Sequence, residues 1–265
     1  MAKKSLQELS IPELSKILDE FGQKQVVFQS EAQFQFELAW RLQEVYDCKV
    51  KLEDLTVLIK KTYKHKNGKD QTQLQKVYTD IVLEKNDYRV AIELKYKTAE
   101  LKYGDVIVFN HGATDLGRYD YLWDVNRVEL LVHKDIKIAI EQSIAKELDC
   151  DVEYTISKQY NAGFAVLLTN DNDYWTQNHN MKNTIDKQFC IGQDDISGKG
   201  QLYSKVLNWK LNERGEYPKT VAESERARRI ELTKAYTYKW EPLCNVPQKD
   251  GKNGEFKYLI IECNN

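Results

Sequence analysis

Apolar residues recur at helical spacing in two segments of the first fifty residues. The first segment follows Ser10, a residue type that often caps helices, and its apolar stripe ends at Gly22. The second begins with the capping-box pattern Ser30-Glu31-Ala32-Gln33, and its apolar positions continue to about Tyr46. The pattern therefore predicts two amphipathic helices before any strand.

A polar segment and two β-rich runs follow these helices. Residues 59–76 are polar and basic, which predicts a loop or the exposed tip of a hairpin. The runs Val77–Lys85 and Tyr88–Thr98 are rich in β-branched and aromatic residues, and only Asn86-Asp87 separates them. Such a short polar connection predicts an antiparallel hairpin.

The remainder of the chain carries further helical and strand-like patterns. In order, these predict a helix from Thr114 to about Val132, a helix over 135–148, a buried strand over Gly163–Thr169, a charged helix near 221–234, and strands over Ala235–Trp240 and Phe256–Cys263. This order predicts one α/β (α+β) domain with a central mixed sheet flanked by helices. We expect a core over about 25–175 and a C-terminal extension, 176–265, packed on it.

Composition narrows the class of protein. The chain has 265 residues, of which 42% are hydrophobic, a composition typical of a globular protein. Its formal net charge of −2 argues against a protein that coats nucleic acid through its overall positive charge. A local basic cleft is still compatible with this net charge. Five scattered cysteines without a Cys-x-x-Cys pair indicate reduced thiols in the cytoplasm rather than disulfides or a zinc site. Neither a membrane span nor a secretory signal is expected.

Two acids and a lysine in the predicted hairpin carry the candidate chemistry. A two-residue turn at Asn86-Asp87 places Asp80 opposite Glu93, and the alternation of side chains along a strand puts Lys95 on the same face. Carboxylates that face each other repel unless a cation lies between them. Mg²⁺ prefers oxygen ligands and keeps several waters, so two carboxylates are a typical protein contribution. Lys95 would then help to deprotonate or orient a metal-bound water, or stabilise charge on a phosphate.

One acid on a helix and an acid–acid–lysine set on a hairpin together resemble the PD-(D/E)xK nuclease superfamily, the matching residues being Glu31, Asp80, Glu93 and Lys95. The likeness covers roughly residues 30–170 and includes the order helix, strand, strand, helix, strand. It implies a restriction-endonuclease-like core, with all four residues catalytic and with Asp80 and Glu93 as ligands of Mg²⁺ (or Mn²⁺). It also implies hydrolysis of phosphodiester bonds by a restriction-like or repair-like nuclease, DNA being favoured over RNA.

Alternatives to this interpretation stay open. The triplet acid-x-lysine occurs elsewhere in the chain, so its hairpin context sets it apart, and Thr79 stands where the family motif has proline. The alternative to a catalytic site is an exposed strand face of mixed charge, on which Lys95 neutralises Asp80 and Glu93. Glu31 is predicted to face inward at the start of its helix, whereas Glu37 falls on the polar side; Glu31 alternatively interacts with the helix dipole.

Basic residues outside the hairpin are candidate contacts to nucleic acid. The lysines of the polar segment are interleaved with Tyr63 and suit a phosphate backbone with a stacked base, the candidates being Lys61, Lys64 and Lys66. A solvated loop is their alternative. Arg118, on the predicted helix 114–132, is a candidate contact to a phosphate. Asp124 and Arg127 of that helix are interpreted as a salt-bridged, exposed face.

Two classes of function therefore remain. The first is a metal-dependent nuclease, and the second is a non-catalytic nucleic-acid- or protein-binding protein that retains the nuclease fold. The complete set of two acids and a lysine favours the nuclease. A homodimer is left open, and no membrane partner is expected.

Overall fold

The computed structural model describes residues 3–64, 70–103, 106–108, 110–156, 158–176, 184–193, 199–202, 204–223, 226–248 and 252–264. Its helices are α1 (Ile11–Gln23), α2 (Glu31–Val45), α3 (Thr114–Val132), α4 (Lys134–Glu147) and α5 (Lys219–Glu223). Its strands are β1 (Lys49–Lys64), β2 (Asp70–Lys85), β3 (Tyr88–Lys97), β4 (Leu101–Tyr103), β5 (Val106–Val108), β6 (Cys150–Ile156), β7 (Ala162–Thr169), β8 (Lys199–Leu202), β9 (Val206–Leu207), β10 (Ile230–Glu231), β11 (Tyr236–Asn245) and β12 (Glu255–Asn264). None of the helices in these ranges combines the length and the apolar character needed to cross a membrane.

A mixed sheet of eight strands forms the centre of the molecule, in the order β6-β1-β2-β3-β7-β12-β11-β8. Each neighbouring pair is antiparallel except β3 and β7, which run parallel. Two short pairs, β4 with β5 and β9 with β10, lie outside this sheet. The predicted α/β class with a central mixed sheet flanked by helices is therefore confirmed.

Helices cover both faces of this sheet, so each face has its own hydrophobic core. On one face the core includes alternate residues of the hairpin, namely Ile81, Leu83, Val90, Ile92 and Leu94; α2 packs on the hairpin strands, and α1 packs on β11 and β12. On the other face the core includes intervening residues, among them Val82 and Ala91; α3 packs on β3 and β7, and α4 packs on β6. The side of the hairpin that alternation predicts to be apolar is thus the one that α2 covers.

Local sequence signals predict most helices and the central hairpin. The first four helices begin and end within two residues of the predicted positions, and Asn86-Asp87 joins β2 to β3 as expected. The side chain of Ser30 caps α2, since it accepts a hydrogen bond from the main-chain nitrogen of Gln33 at 3.1 Å. Every residue of β7 is buried, as its continuous apolar run predicts.

The polar segment 59–76 lies largely within two paired sixteen-residue strands, β1 and β2, so the hairpin interpretation of this segment agrees with the structure and the loop interpretation does not. Residues 65–69, between these strands in sequence, lie outside the described residues. Val57 and Ile59 of β1 are buried, but most side chains along the ribbon face solvent. Main-chain pairing with β2 and β6 stabilises β1, and a polar sequence does not reveal such pairing.

The predicted charged helix near 221–234 is wrong. α5 ends at Glu223, and Ile230 already lies in β10. The arginines between these elements form ion pairs with acids of α3 and α4, the pairs being Arg226–Asp120, Arg228–Glu141 and Arg229–Glu147. The conformation of this segment is therefore determined by contacts to acids that are distant in sequence, and not by the helical spacing of its charges.

The C-terminal part of the chain completes the central sheet. β12 pairs with all eight residues of β7, and β11 and β8 follow it outward. A fully buried ion pair also joins α3 and α4, with Lys137 Nζ 3.2 Å from Glu129 Oε2. Glu129 accepts further hydrogen bonds from the hydroxyls of Thr233 and Tyr236, at 2.6 and 2.7 Å. Residues after β7 thus cover α3 as well as extending the sheet.

Candidate active site

β2 and β3 separate at the position of the two predicted metal ligands. Main-chain pairing follows the predicted register as far as Ile81 and Ile92. Beyond this pair, the main-chain nitrogen of Leu94 donates to Asp80 Oδ2 at 2.6 Å instead of to a strand carbonyl. The main-chain ladder between the two strands therefore ends where Asp80 and Glu93 lie, and we call this break in the pairing the gap.

Asp124 and Arg127 of α3 meet the hairpin residues at this gap. Lys95 Nζ lies 3.0 Å from Asp124 Oδ2, and Arg127 Nη2 lies 3.0 Å from Glu93 Oε1. Arg127 Nη1 also lies 3.3 Å from Asp124 Oδ1. We call the five residues Asp80, Glu93, Lys95, Asp124 and Arg127 the ionic cluster.

The expectation that Asp124 and Arg127 form an exposed face is wrong. Asp124 is only 3% exposed, because α3 lies between the central sheet and residues from the C-terminal part of the chain. Apolar residues on several sides of a helix indicate such burial, and α3 has them at Leu122, Val125, Val128 and Leu131. These apolar residues indicate that α3 is covered on more than one side, but they do not indicate which residues its charged side chains contact.

Glu93 is a buried carboxylate. It is 1% exposed, and within the described part of the chain neither carboxylate oxygen accepts a hydrogen bond. Burial raises the pKa of Glu93 well above its usual range, with the charge of Arg127 opposing this shift. Burial likewise raises the pKa of Asp80 to about 6, against the hydrogen bond from Leu94. Ionised carboxylates are therefore unfavourable here without added positive charge.

Lys95 keeps its positive charge in this environment. Burial by itself would lower the pKa of Lys95, but the nearby carboxylates of Asp124 and Glu31 outweigh that effect and raise it. An ammonium group has no lone pair with which to accept a proton. Lys95 is therefore suited to stabilising negative charge on a phosphate and not to acting as a general base.

The ionic cluster contains more acids than bases. The carboxylates of Asp80, Glu93 and Asp124 accompany two cations, Lys95 and Arg127. A hard divalent cation would offset this excess. Among the described residues no three His, Cys, Asp or Glu side chains are arranged to hold a metal ion, so such an ion would rely on Asp80, Glu93 and water. Mg²⁺ and Mn²⁺ fit this donor set, because Mg²⁺ keeps several waters in protein sites and both prefer oxygen ligands.

Side chains, and not a strand, cover the edge of β3 beyond the gap. Asp80 accepts a hydrogen bond from the main-chain nitrogen of Leu94, and Glu31 Oε2 accepts one from the main-chain nitrogen of Tyr96 at 2.7 Å. His111 Nδ1 accepts from the main-chain nitrogen of Thr98 at 3.1 Å. An unpaired strand edge exposes main-chain N–H groups, and these three side chains provide the hydrogen-bond acceptors that those groups need. Both acids thus have a structural task in addition to any chemical one.

α2 reaches this region through Glu31 and Gln35. Gln35 Nε2 donates to the main-chain oxygen of Asp80 at 2.7 Å, and the charge of Glu31 helps to raise the pKa of Lys95. The structure therefore brings Glu31 to the strand that carries Glu93 and Lys95. A closer approach of Glu31 than of Glu37 to the two predicted metal ligands stays a prediction.

Arg118 is not placed to contact a phosphate, which corrects the expectation from the sequence. Its side chain is 8% exposed, and Nη1 lies 2.6 Å from Asp186 Oδ2. The same guanidinium donates to the main-chain oxygen of Asp173. Arg118 therefore holds the segment that follows β7 against α3, because residues distant in sequence cover this side of the helix.

Lys61, a candidate contact to nucleic acid, lies away from the ionic cluster. Lys61 lies in β1 opposite Gln73 of β2, and Gln73 is seven residues, or about 23 Å of strand, from Asp80. Lys64 ends β1, and Lys66 lies outside the described residues. The structure thus does not bring Lys61 to the gap, and contact between this ribbon and nucleic acid stays a prediction.

Asp80→Asn is expected to stabilise the metal-free protein at neutral pH. Because the pKa of Asp80 is raised from 3.8 to about 6, the folded protein retains a proton that the unfolded chain releases, and stability falls as the pH rises through this interval. Asparagine still accepts the hydrogen bond from Leu94 and carries no charge. In EDTA, the variant should melt at a higher temperature than the wild type near pH 7.5 and at a similar one near pH 4. If the difference in melting temperature between the variant and the wild type does not change with pH, the buried charge of Asp80 is not its cause.

Comparison of the chain with models of known families, with curated proteins and with solved structures finds no match. The likeness to the PD-(D/E)xK superfamily therefore rests on the residues of the hairpin and α2 themselves. Their arrangement around the gap is the basis for assigning a function.

Proposed function

We propose that this protein is a metal-dependent nuclease that hydrolyses phosphodiester bonds in nucleic acid, DNA being favoured over RNA. The observation that carries the proposal is the pair of acids at the gap between β2 and β3, beside a lysine that keeps its charge. Carboxylates whose pKa values are raised by burial, next to a specific charged partner, are typical of functional sites. A purely structural hairpin would be more stable with apolar residues at these positions.

Each residue of the gap has a proposed role. Asp80 and Glu93 would hold Mg²⁺ or Mn²⁺, and such an ion, when bound, supplies polarisation of the phosphate and a more acidic water. Lys95 would donate a charged hydrogen bond to a phosphate oxygen and stabilise the negative charge that develops there. Glu31 would keep Lys95 protonated and fixed at the edge of β3. Together these residues suit a restriction-like or repair-like nuclease.

The finer fold that belongs to this proposal is restriction-endonuclease-like. α2, β2, β3, α3 and β7 occur in the order of helix, two strands, helix and strand, all within residues 25–175, with β1, β4, β5, α4 and β6 in addition. On this interpretation the strands of 176–265 are an extension that completes the sheet. The scattered cysteines support work in a reducing cytoplasm.

A non-catalytic binding protein with the same fold is the second candidate. One observation favours it: Lys95 is paired with Asp124 and Glu93 with Arg127, so the cluster already contains ion pairs of its own. A protein that had lost its metal would be expected to compensate its charges in this way. This candidate predicts nucleic-acid or protein binding that does not depend on divalent ions.

A cleavage assay separates the two candidates. Purified protein should cut at least one substrate in a panel of plasmid DNA, linear DNA, single-stranded DNA and RNA when Mg²⁺ or Mn²⁺ is present, and EDTA should stop the reaction. Asp80→Asn should neither bind Mn²⁺ nor cleave, because an amide is a much poorer ligand for a hard divalent ion. Equal cleavage by this variant would indicate a contaminating nuclease. Binding without cleavage on every substrate would favour the second candidate.

A further inference from the structure

Arg127 connects three parts of the molecule at the gap. Its Nη2 lies 3.0 Å from Glu93 Oε1 on β3 and donates to the main-chain oxygen of Tyr78 on β2, while Nη1 lies 3.3 Å from Asp124 Oδ1 on α3. The side chain is 24% exposed. The guanidinium therefore lies at the gap with one of its nitrogens beside a predicted metal ligand.

Glu93 depends on this guanidinium for charge compensation. In the described part of the chain its oxygens accept no hydrogen bond, and Arg127 provides its ion pair. A buried carboxylate that loses its counter-charge is strongly destabilising. In the absence of a metal ion, Arg127 thus supplies the positive charge that a metal ion would supply when bound.

We propose that Arg127 is an internal counter-cation of Glu93 that competes with a divalent ion for this carboxylate. The inference rests on the proposed function, in which Glu93 is a metal ligand. An ion that binds Glu93 must displace or weaken the ion pair with Arg127, and by linkage the ion pair weakens ion binding by the same factor. Arg127 therefore lowers the metal affinity of the site and stabilises the metal-free protein.

The other contacts of Arg127 allow its guanidinium to leave Glu93 without a movement of α3. When Nη2 leaves Glu93, the carboxylate of Asp124 and the main-chain oxygen of Tyr78 remain as acceptors beside the gap. Asp124 lies three residues before Arg127 on the same helix, so α3 does not have to move. The freed donor is then available to a phosphate oxygen, to which a guanidinium binds well.

The test compares Mn²⁺ affinity by isothermal titration calorimetry in Arg127→Gln, Arg127→Lys and wild type. Removing the competing charge should strengthen Mn²⁺ binding of Arg127→Gln at least about fivefold, the lower end of typical coupling between two sites. Arg127→Lys keeps the charge without the planar fork and should show a smaller gain. Arg89→Gln is the matched control, because Arg89 pairs with Glu84 on the same hairpin at 2.9 Å and should leave Mn²⁺ affinity unchanged.

The metal-free protein gives a second measurement. Arg127→Gln should lower the melting temperature in EDTA, and adding Glu93→Gln should restore part of the loss, because a neutral amide needs no counter-charge. If Arg127→Gln cannot be purified, the Mn²⁺ affinity of Arg127→Lys decides: a gain supports the proposal.

Three outcomes separate this inference from the proposed function. Unchanged or weaker Mn²⁺ binding in the Arg127 variants overturns the inference, even if the wild type is an active nuclease. An absence of Mn²⁺ binding in the wild type and the variants overturns it as well. Tighter Mn²⁺ binding in Arg127→Gln, with no cleavage by the wild type on any substrate, supports the inference and argues against the proposed nuclease.

Discussion

Lys95→Ala is expected to remove cleavage while leaving Mn²⁺ binding close to that of the wild type. Lys95 carries a positive charge at the gap but is not a predicted metal ligand, so its loss should act on the transition state and not on the ion. Removing one preorganised donor from a site of this kind lowers kcat by about 10²–10³-fold. Cleavage of the best substrate and Mn²⁺ titration of the same preparation measure both effects.

Lys85→Ala is the matched control for this variant. Lys85 lies on the same hairpin and also forms an ion pair, 2.8 Å from Asp47, but away from the gap. Its loss removes one positive charge from the protein and should leave cleavage nearly unchanged. Full activity of Lys95→Ala would refute the assignment of Lys95, and equal losses in both variants would point to a general effect of charge.

Lys137→Met is expected to cause a large loss of stability. Lys137 and Glu129 are both fully buried and 3.2 Å apart, and Lys137 also donates to the main-chain oxygen of Glu231. Removing one partner of a buried pair leaves a buried charge, which costs about 3–5 kcal/mol. For a chain of this length we expect the melting temperature to fall by roughly 10 °C. Thermal unfolding followed by circular dichroism measures the change.

A second substitution identifies the cause of that loss. Glu129→Gln combined with Lys137→Met removes both charges and leaves an acceptor for the hydroxyls of Thr233 and Tyr236, so the double variant should recover part of the stability. Lys146→Met changes an exposed lysine of the same helix, α4, and should have little effect. If the double variant is no more stable than Lys137→Met, lost packing and not the unpaired charge explains the result.

The hairpin and its acids could be predicted from the sequence because local features determine them. A two-residue turn fixes which residues face each other, and alternation along the strands then places Asp80, Glu93 and Lys95 on one side. The start of α2 is also local, since Ser30 and Gln33 are three residues apart. None of these features depends on how the rest of the chain packs.

Asp124, Arg127 and Arg118 could not be placed in this way because segments far along the chain bury them. Their charges alternate at spacings that also suit a solvated helix, and only the cover provided by the C-terminal residues makes them internal. The strand β1 was not predicted from the sequence, for a related reason. Its buried apolar residues, Val57 and Ile59, lie in one short apolar run of a mostly polar strand, and its pairing with strands on both sides uses main-chain groups that the sequence does not reveal.

The position of β12 in the sheet has a consequence for folding kinetics. β12 borders β7, from which it is separated by more than eighty residues of sequence, and Tyr258 of β12 contacts Asp19 of α1 through a hydrogen bond of 3.1 Å. Closing such long loops is slow, and proteins dominated by distant contacts fold slowly. Until β12 docks, the buried strand β7 has an open, apolar edge of the kind that promotes aggregation. We therefore expect slow refolding whose yield falls as the protein concentration rises.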